Sequence, residues 1–85
     1  MSARMTFLAA LLVVAGAGEA NAACSGDIAE FDKITSSDAS TGNLNKRVYD
    51  KIVAEMAPVK ANCAAGRDAE AIRGLAAVKA RHGYR

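Results

Sequence analysis

From Cys24 to the carboxy terminus, apolar side chains return every three or four positions and no stretch alternates convincingly with a period of two. The pattern therefore predicts helices and no strands. The first stripe is Cys24, Ile28, Phe31 and Ile34 or Thr35, with Ser25 as the expected N-cap. Asp27 and Glu30 fall in the first turn, where the helix dipole favours negative charge. Residues 35–43, Thr-Ser-Ser-Asp-Ala-Ser-Thr-Gly-Asn, are polar turn formers and read as a loop.

A second helix is expected from Asn43 or Leu44, burying Leu44, Val48, Ile52, Met56 or Glu55, Val59 and Cys63, with Tyr49 and Val53 widening the stripe on one side. Pro58 falls inside it, removing the hydrogen bond to the Ala54 carbonyl at ~3 kcal/mol, so the helix either bends there or ends near Met56 and restarts. Gly66 is the expected stop. Asp68 then reads as the N-cap of a third helix, with Ile72, Leu75, Val78 or Lys79 and His82 on its inner side. Gly74 weakens that helix by ~1 kcal/mol relative to alanine, which points to close packing against a neighbour. Gly83 supplies a left-handed stop, and Tyr84 beyond it can fold back over the last turn.

Cys24 and Cys63 are the only cysteines of the chain. Neither has a second Cys or His at ligand spacing, and the single His82 cannot complete a four-ligand zinc site. The simplest reading is one structural disulfide, which forces the first two helices to run antiparallel. The predicted fold is all-α: a small disulfide-stapled antiparallel helical hairpin with a third C-terminal helix packed across it.

The amino terminus changes the size of what folds. Arg4 precedes the uncharged run Phe7-Leu8-Ala9-Ala10-Leu11-Leu12-Val13-Val14-Ala15, which falls short of the ~20 apolar residues that span a bilayer but suits a signal peptide. Ala20-Asn21-Ala22 offers small residues at −3 and −1, so residues 1–22 are expected to be removed before Ala23, leaving 23–85 as one small three-helix domain. A cut one residue later would free Cys24 for lipidation instead of a disulfide, although Asn21 at −3 is unlike a lipoprotein signal. The short leader and abundant alanine fit a bacterial protein, periplasmic or extracellular after cleavage, with a eukaryotic secretory origin as the alternative. No stable transmembrane anchor is expected.

Of the 85 residues, 63 then remain, carrying fourteen side chains from the Val, Ile, Leu, Met, Phe and Tyr set, so the core is thin. The formal charge of +2 is unchanged by losing Arg4 and Glu19, and is too weak to announce a nucleic-acid partner. It is unevenly spread: Asp27, Glu30, Asp32 and Asp38 dominate the start, and Arg67, Arg73, Lys79, Arg81 and Arg85 the end.

Catalytic constellations are hard to assemble from these residues. His82 sits beside a terminal Gly-Tyr-Arg, a place for a helix cap more than for a general base, and the carboxylate pairs Asp27/Glu30 and Asp68/Glu70 sit in first turns that explain them. Met56 and His82 could in principle ligate haem, but a core methionine and a capping histidine account for both, and no cofactor or metal is expected. The candidate interaction surface is the basic end: Lys79, Arg81, His82, Tyr84 and Arg85. These features favour a small exported binding or accessory protein whose partner is another protein or an anionic envelope component. An envelope stress or acid-responsive chaperone-like helper is the alternative, and an enzyme the third class.

Overall fold

The computed structural model describes residues 23–85, so the proposed leader at 1–22 lies outside the described residues. Three helices follow in order: α1 over residues 23–40, α2 over Lys46–Ala64 and α3 over Asp68–Arg81. None of the helices described is long and apolar enough to cross a membrane. The Cys24–Cys63 disulfide joins the start of α1 to the end of α2 with Cα atoms 6.0 Å apart, so these helices form the expected antiparallel hairpin. The third helix packs against α2 and reaches α1 through Phe31, which makes α1 and α3 parallel neighbours.

The buried stripes follow the helical period. α1 contributes Cys24, Ile28, Phe31 and Thr35; α2 contributes Ile52, Met56, Val59 and Cys63; α3 contributes Ala71, Leu75 and Val78. Leu44, Val48 and Tyr84 pack on this core while staying partly exposed.

Several boundaries differ from the sequence reading, each for a local reason. The predicted loop at 35–43 is helical as far as Ser40, because its hydroxyls are satisfied within the helix. Thr35 Oγ1 donates to the Phe31 carbonyl at 3.0 Å, and the hydroxyls of Ser40 and Thr41 donate to that of Ser37 at 2.9 and 3.1 Å. Back-bonding of this kind lets a Ser/Thr-rich segment continue a helix that propensity alone would end.

At the other side of the shortened turn, α2 is capped by Asn45, whose side chain accepts from the Arg47 N–H at 2.8 Å, and begins at Lys46, two to three residues beyond the expected start at Asn43 or Leu44. Ser25 does not cap α1. The helix already includes Ala23, and Ser25 Oγ lies 3.6 Å from Cys63 Sγ. Asp68 is the first residue of α3 rather than its cap, which is Arg67 without a side-chain cap bond. Pro58 neither ends nor restarts α2: the helix runs its full 19 residues, and both Pro58 and Ala54, whose carbonyl loses its donor, lie on the exposed side.

The inner face of α3 keeps the predicted Leu75 and Val78 but differs from the prediction at its start. Ile72 is 42 % exposed, and Ala71 takes the buried place at 1 %. The cause is the approach of α3 to α2. A Cβ built on Gly74 would lie 2.9 Å from Cγ2 of the buried Val59, so the helices meet where Gly74 offers no side chain. Small Ala71, one turn earlier, keeps the same spacing.

This contact sets the first prediction. Gly74→Ala gains about 1 kcal/mol of helix propensity but presses a methyl group into a stiff β-branched neighbour, and overpacking of that kind costs about 1–3 kcal/mol. The expected outcome is a lower melting temperature in thermal denaturation, recovered when Val59→Ala is added. A single variant more stable than the parent would contradict the steric account.

Candidate functional site

The chain turns out of α3 at Gly83, whose φ of 76° is a conformation that side-chain-bearing residues rarely adopt. The Tyr84 N–H then reaches back to the Lys79 carbonyl at 2.7 Å and the Gly83 N–H to that of Ala80 at 3.4 Å, the paired bonds of a Schellman stop. The same pairing ends α2 at Gly66. At the end of α3 it aims Tyr84 across the bundle at α1, rather than back over its own last turn.

The proposed basic interaction surface is therefore engaged with the rest of the fold at four of its five residues. Arg81 Nη1 and His82 Nε2 both bond the same oxygen, Oε1 of Glu55 on α2, at 2.8 and 2.9 Å. The His82 side chain is only 10 % exposed. Tyr84 Oη donates to Asp38 Oδ2 at 2.8 Å, and its ring meets Phe31 edge-on with centroids 5.4 Å apart. The Lys79 ammonium lies 5.8 Å from the centre of the same Phe31 ring, within range of a cation–π attraction. Arg85 borders a cleft of about 120 Å³ between α1 and α3, with Asp27, Glu30, Phe31, Ile34 and Lys79 as its other walls.

These contacts bias two acids. The hydrogen bond from His82, foremost, and then those with Arg81 hold the Glu55 carboxyl below its ordinary pKa, against a partial opposing effect of burial. Burial first, and then the bond to Asp38, raise the Tyr84 phenol above its ordinary value. A raised phenol pKa means that Tyr84 stabilises the fold while neutral, with the contribution present below its unfolded pKa of about 10 and lost as pH rises through the folded value. Tyr84→Phe should accordingly lower stability near neutral pH by about 1 kcal/mol, the net worth of such a hydrogen bond, and should flatten the alkaline limb of a plot of melting temperature against pH. An alkaline limb of unchanged steepness would count against this assignment.

The other flank of the hairpin has no third helix over it. There Ala29, Asp32 and Ser36 of α1 face Tyr49, Val53 and Lys60 of α2 along a shallow groove. Toward the disulfide the groove continues past Ser25 and Ala64. Val53 is half exposed, and a single ion pair, Lys60 Nζ to Asp32 Oδ2 at 2.8 Å, bridges the two walls. Both partners of that bridge are largely solvated, so it contributes about 0–1 kcal/mol and presents no rigid barrier.

Among the described residues, no group of three or more His, Cys, Asp and Glu side chains could hold a metal ion. Met56 is buried in the core and the His82 Nε2 is occupied by Glu55, so these two residues are committed to the fold's own contacts. Sequence reasoning missed the partners Glu55, Asp38 and Phe31 of the basic end, and the Asp32–Lys60 bridge. The one available hint was the excess of acid early and base late in the chain. The chain matches no protein-family model, no curated protein and no solved structure.

Proposed function

We propose that this chain is a small exported binding or accessory protein of a bacterial envelope, acting through a surface after residues 1–22 are removed. The observation that carries the reading is the uncovered flank of the α1–α2 hairpin, a shallow groove of mixed character in which Ala29, Ile52 and half-exposed Val53 lie among Asp32, Ser36, Tyr49 and Lys60. Helical modules bind partner segments by laying an amphipathic helix into such a groove. Export is supported by the apolar leader pattern at 7–15 and by a disulfide, a bond that persists in oxidising compartments.

The test is site-specific photocrosslinking in the native envelope. A photoreactive side chain at position 53 should trap a discrete partner, whereas one at position 73, where Arg73 is exposed on α3, should not. Equal or absent trapping at the two positions would overturn the reading.

The second reading, an acid-responsive stress helper, is favoured by the convergence of Arg81 and His82 on the single Glu55 carboxylate. Suppression of client aggregation at acid pH, and not at neutral pH, is its expected signature. Aggregation that proceeds equally at both pH values would remove it.

A further inference from the structure

We propose that the segment from Lys79 to Arg85 is an acid-released latch over Phe31, held shut by the Glu55 carboxylate while the disulfide-linked hairpin beneath it stays closed. The apolar anchors of α3 are Ala71, Leu75 and Val78, and none of its residues beyond Val78 is fully buried. What fastens the chain after that point is a short set of contacts: Arg81 and His82 on Glu55, Tyr84 on Asp38, and Tyr84 and Lys79 on the Phe31 ring. Phe31 itself is 2 % exposed and sits under these residues.

The charges around the latch act in one direction as pH falls. Facing Glu55 from α3 and its cap are Arg81 and His82, and Lys51 lies one turn earlier on its own helix. Facing Tyr84 is Asp38, and along the cleft beside Phe31 lie Asp27, Glu30, Lys79 and Arg85. With Glu55 ionised, one oxygen joins the Arg81 guanidinium and the His82 imidazole. When Glu55 takes a proton, the anion that holds the Arg81 guanidinium and accepts from the His82 ring is gone. Because the folded carboxyl titrates below its unfolded value, its contribution is complete at neutral pH and is lost as pH falls through the folded pKa. The lower part of α3 has no acid in this role: Ala71, Leu75 and Val78 hold it by burial, with the Gly74–Val59 contact between them. Opening is thus confined to the end of the helix, and it uncovers an aromatic face on α1.

This inference rests on the acid-responsive reading for its purpose, and its test is read without any client. In two-dimensional NMR of the oxidised protein, the edge-on rings of Phe31 and Tyr84 should give a nuclear Overhauser cross-peak at neutral pH. It should fall by about tenfold once pH has dropped from neutral through the folded pKa of Glu55, while the methyl dispersion of Ile52 and Val59 is retained. Glu55→Gln, which keeps the size of the side chain and removes the charge, should show the weakened cross-peak already at neutral pH. Persistence of the wild-type cross-peak in acid would overturn the latch, and so would its loss only together with the Ile52 and Val59 dispersion, which marks global unfolding. A latch that opens in acid without protecting a client leaves this proposal standing and removes the helper reading. Client protection with the cross-peak intact does the reverse.

Discussion

Reduction of the Cys24–Cys63 bond, or its replacement by two serines, is expected to leave the chain mostly unfolded near 37 °C. The bond closes a loop across a sequence separation of 39 residues. For a loop of about 40 residues the chain-entropy relation gives about 4 kcal/mol of stabilisation through the unfolded state. A domain the size of residues 23–85 has a total stability of only about 3–9 kcal/mol, so the one covalent link is comparable with the whole. The buried core explains the dependence: Cys24 and Cys63 are themselves two of its ten buried apolar members, and another is an alanine. Circular dichroism with and without reductant measures the effect, and a melting temperature that does not change would refute it.

Phe31→Ala is the second large effect. Phe31 is among the largest fully buried side chains and is the residue of α1 that meets both Tyr84 and Lys79. Truncating a buried phenylalanine costs about 3–5 kcal/mol, which in a domain of this size corresponds to a fall of roughly 20 °C in melting temperature. The loss should also appear locally, because the ring of Tyr84 and the ammonium of Lys79 both lose the surface they rest on. Phe31→Leu, which keeps most of the volume but not the aromatic face, should restore much of the global stability. It should not restore the protection of the Tyr84 N–H in hydrogen exchange. Equal stability of the alanine and parent proteins would show that α3 does not depend on this seat.

The parts of the fold that sequence made legible are those governed by period and by covalent bonding. Cys24, Ile28 and Phe31, then Ile52, Met56, Val59 and Cys63, then Leu75 and Val78, recur at helical spacing and are buried as that spacing requires. The errors fall where a neighbour overrides local preference. Ile72 outranks Ala71 in hydrophobicity, yet the close approach of Gly74 to Val59 makes the smaller residue the inner one. Thr35 to Ser40 have turn-forming side chains, and only their hydroxyl bonds to carbonyls one turn back show how they remain helical. Glu55 and Asp38 were the least legible, since their partners lie 27 and 46 residues away and no local spacing announces such a pair. Lys79, Arg81, His82 and Tyr84 were singled out as a surface, and what could not be foreseen was how far the fold itself engages them.

The fastenings at the middle and at the end of α2 differ in kind. Cys63 is tied covalently to α1, and Glu55, eight residues earlier and so about 12 Å along the helix, is tied by charge to α3. Redox potential and proton activity would therefore act in series, the first setting whether the hairpin exists and the second whether, on a formed hairpin, the end of the third helix is docked.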